Sequence, residues 1–329
     1  MATIVGLCED KCPQKEREFR IKNHLLHPLE SRDPFSALPS FKRLVIPERV
    51  CKSYSRPAAN QNISPNDVRT LGALQKTSDY LRAVEKEFRL ATQWPLVYQF
   101  LIDRYRAVRA DIRIQQLNDP LTAQILESMI CFYVRAILRC EKVRSPNYDS
   151  TLHRRELEDC FGCWIVQKEK SEEIRILHLL YSAHQPDIFN YLSCERDFFR
   201  PRIFATLRRL FTAIVDENFV AFFRVFSELE TPLQKTILTP IVSQMRLNAL
   251  NTLMASSRSP NCTFPIAVLQ RWLGFYDEHA LRECLNEFAE FSLLEDEKVK
   301  FHGAKLNQIG TNSLGYSWYT YVGSQNVFQ

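Results

Sequence analysis

An all-α architecture, a body of stacked helical hairpins closed by a small C-terminal helix–helix–hairpin module, is what this sequence predicts. Apolar residues recur at helical spacing from about residue 66 to 256, with almost no alternating strand pattern. Pro95, Pro120, Pro186, Pro201 and Pro232 each stand where a first helical turn tolerates a residue lacking an N–H. Five of the eight glycines lie from Gly274 onward, which marks a change of character near the C-terminus.

Residues 1–65 hold seven of the sixteen prolines and no sustained 3.6-residue period, so they are expected to run extended over the helical body. One short helix is predicted near Gln14–Leu26. Helical segments follow at about 66–92, 96–117, 121–140, 150–168, 172–184, 186–196, 201–214, 217–229 and 232–256, joined by short loops. That pattern reads as an α-hairpin solenoid over 66–259, with no exact repeat period. Residues 263–275 and 277–290 read as two short helices, and FSLLEDEKVKFHG alternates like a hairpin around Glu295–Lys298. Helix, helix, hairpin after a helical array is the pattern of a winged helix, assigned here to 260–310, with 311–329 as a tail.

The segment from Pro95 to Leu117 organises the rest. At 100° per residue Val97, Leu101, Tyr105, Val108 and Ile112 share one face, while Arg106, Arg109 and Arg113 stack on another. Arg104 and Asp111, two turns apart near the apolar face, are expected to be half-buried partners. The arginine stripe reads first as a solvated helix face and second as a nucleic-acid contact. Arg200, Arg202, Arg208 and Arg209, interleaved with Phe199, Phe204 and Phe211, make a second candidate for RNA binding.

Composition fits an ordinary soluble protein: 329 residues, 45% hydrophobic and 25% charged, long enough for one large unit or two domains. No run of about 18 apolar residues suggests a membrane span, and the N-terminus becomes charged too early for a signal peptide, so an intracellular chain without a membrane role is expected. The ten cysteines are then reduced, mostly buried thiols. The net charge is +5, with the basic excess in residues 1–60 and 200–259, and an acidic balance from 260 onward.

Candidate chemistry gives way to packing at each place it arises. Cys8, Cys12, His24 and His27 form C-x3-C-x11-H-x2-H, one residue short of a zinc finger in each of the last two intervals and without its packing residues, so no metal is assigned. Cys160 and Cys163 lie in a helical pattern beside Phe161 and Trp164 and read as core. Cys194 and Arg200 have the spacing of a cysteine phosphatase, but the intervening ERDFF is acidic and bulky and would repel phosphate. No catalytic residue and no cofactor is assigned.

Three blocks carry a resemblance. GLCEDKCPQKERE supplies Gly6, Cys8, Cys12, Pro13, Glu16 and Arg17; VCKSYSRP supplies Val50, Lys52, Tyr54, Arg56 and Pro57; FLIDRYRAVRADIRIQ supplies an Asp-Arg-x-Arg-Ala-x-Arg-x-Asp core. In the same order they resemble the signature of the germinal-centre-associated nuclear protein family of mRNA-export scaffolds. Lys11 stands where that family has Met, and the Arg and His that follow its conserved Glu are missing after Glu127. FTAIVDENFVAFFRVFSEL looks like the family's closing helical repeat, so this sequence resembles a short, divergent member.

The resemblance implies a helical-repeat body of the TPR/PCI-like kind with a winged helix. It also implies a non-enzymatic scaffold that pairs with a PCI-domain winged-helix protein and a small acidic subunit of the proteasome-lid type, with RNA as a further partner, in the nucleoplasm or at the nuclear pore. Short paralogues suggest the alternative of a centrosome and spindle regulator, cytoplasmic and acting only through protein contacts. The sequence ends soon after the winged helix, without the Phe-Gly-rich extension or the long centrin-binding helix of large members. Cys8, Cys12, Arg17, Arg104 and Asp111 are the expected structural motif. Leu281, Leu285, Phe288, Leu293, Val299 and Phe301 are the expected apolar partner interface, because the acidic 277–290 helix would repel DNA.

Overall fold

A computed structural model describes residues 4–55, 63–88, 90–257, 259–293 and 297–306, with backbone alone for 287–293 and 303–306. The chain divides into two compact units, 1–170 and 171–329, so the division falls inside the segment read as the helical-repeat domain.

In the first unit, among the described residues, helix α1 (Gln14–Lys22) and four short 3-10 turns interrupt an otherwise extended segment before the first long helix. Cys8 forms a parallel bridge with Arg69, and Ser31 an antiparallel bridge with Val45. Gly6 sits where a Cβ would come within 2.7 Å of the Val68 and Arg69 carbonyl oxygens, which requires glycine there.

Four long helices follow: α2 (Leu71–Glu87), α3 (Trp94–Gln115), α4 (Pro120–Val143) and α5 (Ser150–Ile165). Their starts are set locally, since the side chains of Thr70, Asp119 and Asp149 accept from the first free N–H groups of α2, α4 and α5. α3 and α4 end on left-handed residues, Gln116 and Arg144. α3 packs against α2, α4 and α5, and all five residues of its apolar stripe are buried.

Contrary to the expectation from the sequence, α4 is long and apolar enough to cross a membrane. Its apolar side chains, among them Leu126, Ile130, Phe132 and Val134, are nevertheless buried in this unit, and Arg135 forms a two-point pair with Glu85 of α2 at 2.9 and 2.8 Å. It is the unit's core helix.

The second unit contains α6 (Glu172–Tyr181), α7 (Ile188–Cys194), α8 (Pro201–Val215), α9 (Phe219–Ser227), α10 (Pro232–Ile237) and α11 (Thr239–Ser256). The segment expected as one helix over 232–256 is two, because Pro240 supplies no N–H to continue α10. Then come β1 (Phe264–Pro265), α12 (Ile266–Trp272), α13 (Glu278–Phe288), β2 (Ala289–Leu293) and β3 (Lys298–Leu306). The expected hairpin is β2–β3; the sequence reading missed β1, a two-residue strand with no alternation to detect. The sheet is antiparallel in the order β1-β3-β2, with Val299 of the central strand opposite both Phe264 and Leu293.

This unit has its own buried cation. Arg246 of α11 is fully buried, donates to the carbonyl oxygens of Leu273 (2.8 Å) and Gly274 (2.9 Å), and stacks 3.9 Å from the Phe275 ring. It satisfies the free carbonyls just past the end of α12. Gly274 has φ +62°, and a Cβ there would lie 2.2 Å from the Phe223 ring. Gly274→Ala is therefore expected to cost about 1–2 kcal/mol for the backbone and more for the clash. Urea unfolding followed by circular dichroism measures the loss, and a variant within error of wild type would refute this account.

Glu141, near the end of α4, has a buried carboxylate oxygen with no hydrogen-bond partner among the described residues, and burial pushes its carboxyl up to about 9. A folded-state value above the unfolded one means stability is full below about pH 4.5 and is lost as pH rises toward 9. Glu141→Gln is thus expected to stabilise increasingly across that window, by about 1.4 kcal/mol per pH unit at most. Denaturation of both proteins at pH 6 and pH 8 checks it; a pH-independent difference would contradict the burial.

Candidate functional site

Two buried carboxylates tie the extended N-terminal segment to α3. Glu30 is wholly buried. One of its oxygens accepts from the Arg20 guanidinium and from the backbone N–H of His27 at 2.8 Å; the other accepts from Arg104 and from the Cys51 N–H, both at 3.1 Å. Asp111 is also wholly buried, with one oxygen 2.7 Å from Lys52 Nζ and the other 2.7 Å from Arg69 Nε. Arg104 and Asp111 are therefore both buried and charge-paired, but not with each other as expected from their spacing. Apart from Asp103, the neighbour of Arg104 on α3 itself, their partners are Glu30, Lys52 and Arg69, which no helical periodicity links to α3.

The neighbouring titratable groups are buried as well. Burial, with Arg104 and Arg20 nearby, pushes the His27 imidazole down to about 3, and its Nδ1 accepts from the Leu29 N–H. Burial likewise pushes the Cys12 and Cys51 thiols up to about 12, so both are neutral packing residues. Cys8 is buried, its N–H donating to Val68 O at 3.0 Å, and Arg17 makes only an exposed pair with Asp10. A groove of about 430 Å³ lies beside this network, lined by Phe19, Tyr54, Ile63, Ala107 and Ile114.

The arginine stripe of α3 is not the solvated cationic face expected. Arg109 is buried and donates to Glu156 (2.5 Å to the carboxylate, 2.9 Å to its carbonyl) and to Asp159 (3.2 Å). Arg106 pairs with Glu156 at 2.9 Å and lies 4.1 Å over the Tyr54 ring. Only Arg113 is exposed. The neutralising acids belong to α5, fifty residues on, and a helical projection of α3 alone carries no sign of them.

The α8 arginines remain at the surface. Arg209 makes a two-point pair with Glu228 (2.9 and 3.0 Å), and Arg200 lies 3.8 Å from Glu172 and 3.6 Å from Glu230. Arg202 and Arg208 are exposed without an ion-pair partner among the described residues. Two of the interleaved aromatics, Phe199 and Phe211, are buried. Between α8 and α9 runs a groove of about 490 Å³ that includes Phe204, Arg208 and Arg224.

The apolar set expected to meet a partner is internal instead. Leu281, Leu285, Val299 and Phe301 are at most 1% exposed and pack with Leu250, Ile266 and Leu269 in one core cluster. Helix α13 and the hairpin need those side chains to cover their own interior. The side chains of Phe288 and Leu293 lie outside the described residues.

Comparison with known proteins bears on this arrangement. The SAC3/GANP family model matches residues 11–291. The chain belongs to the SAC3/GANP family. The match takes in every residue of the two carboxylate networks and runs through both units; Gly6 and Cys8 precede it. The chain is 25% identical over 315 residues to SAC3 family protein B of Arabidopsis thaliana, covering 88% of this chain and 18% of that protein. It is 25% identical over 332 residues to Protein xmas of Drosophila melanogaster, covering 93% and 15%. To SAC3 family protein 1 of Schizosaccharomyces pombe it is 32% identical over 142 residues, covering 43% and 13%. This chain therefore spans less than a fifth of the length of these curated relatives.

The networks predict a measurable asymmetry. Glu30→Gln leaves Arg20 and Arg104 buried with one charge too few, and is expected to cost about 3–5 kcal/mol, as is Asp111→Asn. Asp79→Asn, which breaks the exposed pair with Arg82, should cost under about 1 kcal/mol. Equal losses in chemical denaturation would rule out the buried networks as the source of the difference.

Proposed function

We propose that this chain is a non-enzymatic scaffold subunit of a nuclear, transcription-coupled mRNA-export complex. The observation that carries the reading is the SAC3/GANP match over residues 11–291, which spans both compact units. The most perturbed groups fit packing rather than chemistry. His153, for example, is pushed down to about 4 by burial, accepts from Tyr98 OH at 2.9 Å and donates to Tyr133 O at 2.8 Å.

The consecutive packing of α2 to α5 supports the α-hairpin repeat reading. The run α11–β1–α12–α13–β2–β3 with sheet order β1-β3-β2 supports a winged helix. In this reading the scaffold pairs with a PCI-domain winged-helix protein and a small acidic subunit. The contact surface is the exposed side of the terminal module, where Tyr276 is 63% exposed, rather than the core set of Leu281 and Leu285. Direct RNA binding is secondary, because a long phosphate path needs a row of free cations and most of the candidate arginines are held by carboxylates.

Affinity purification of the tagged full chain with mass spectrometry tests the proposal. A PCI-domain protein and export factors are expected, and Tyr276→Asp should deplete them. Centrosomal proteins in their place would assign the chain to cell division instead.

A further inference from the structure

The α8–α9 groove combines small side chains with exposed cations. Three of the residues that line it are alanines, Ala205, Ala213 and Ala221, which leave room for another backbone to approach. Cations stand on both walls: Arg208 from α8 and Arg224 from α9 are exposed and have no carboxylate partner among the described residues. The third arginine of the lining, Arg209, differs, since Glu228 holds it at 2.9 Å. Phe204 offers the main apolar surface, with Arg196 5.7 Å from its ring, and Asp216 is the one acidic side chain of the lining.

We infer that the α8–α9 groove docks an amphipathic helix with an acidic face from a protein partner. Carboxylates of that helix meet Arg208 and Arg224, and its small or aliphatic residues lie against the lining alanines and Phe204. Asp216 faces the helix's N-terminal end, where free N–H groups favour an anion. A nucleic-acid strand fits less well. It would bring phosphate to Asp216 and find one half-buried aromatic ring for its bases, already shared with Arg196. The inference adds a second contact surface to the proposed scaffold, and its failure would leave the scaffold reading standing.

The test uses the purified full chain as bait against a displayed library of helices of about five turns, with Glu, Lys, Leu and Ala randomised. Enriched helices are expected to carry Glu at i, i+4 or i+7 beside Leu or Ala. Arg208→Glu with Arg224→Glu should weaken them by about tenfold or more, and replacing the helix's Glu by Lys should restore binding to that variant. Ala205→Trp, an exposed position that blocks the groove without changing charge, should abolish binding. The proposal is overturned by no enrichment over a control helix, or by helices that bind both variants as they bind wild type. Single-stranded oligouridine that binds the full chain and is lost on the same substitutions would assign the groove to RNA and overturn it equally.

Discussion

A carboxylate without water must be given positive charge by the protein, and two such groups, Glu30 and Asp111, set the arrangement of the first unit. Each is wholly buried, and each holds two cationic side chains. Removing one partner of a buried pair costs far more than an exposed pair contributes. The N-terminal segment therefore cannot lift away from α3 without stranding charges in a dry interior. A proline-rich stretch with little secondary structure of its own is in this way tied to α3 through Glu30 and Lys52.

The three sequence blocks that carry the family resemblance are parts of this one network. Glu16 of the first accepts from Ser53 at 2.8 and 2.9 Å. Lys52 of the second reaches Asp111, and Tyr54 donates its N–H to Asp103 at 3.2 Å. The third provides Asp103, Arg104, Arg106, Arg109 and Asp111, whose partners lie in the N-terminal segment and in α5. Charged residues in the pattern Asp-Arg-x-Arg-Ala-x-Arg-x-Asp thus act as internal fasteners. The second unit follows the same logic with a single cation, Arg246, whose donors close the end of α12 where Gly274 turns under Phe223.

Arginine count and arginine availability are separate quantities here. On α3 Arg104, Arg106 and Arg109 are held by acids, with Arg113 exposed; on α8 and α9 two arginines beside a groove have no carboxylate partner among the described residues. The exposed cations accordingly lie on a less distinctive pair of helices in the second unit rather than on the most motif-like helix, and apolar residues of the terminal module move from candidate interface to core.

Much of this was legible in the sequence. Helix positions followed from the 3.6-residue period and proline at first turns, both of which act within a few residues; the family followed from three ordered blocks. Asp111 was readable as a charge near an apolar face that had to find a partner. Which partner it found was not, because Lys52 and Arg69 reach it across loops with no periodic relation to α3. Leu281 and Val299 were readable as apolar faces, but whether such a face meets a partner or its own domain depends on what the chain folds against it. Local periodicity therefore determined the elements and their apolar sides, while the pairing of charges and the exposure of surfaces were decided by tertiary contacts between segments far apart in the chain.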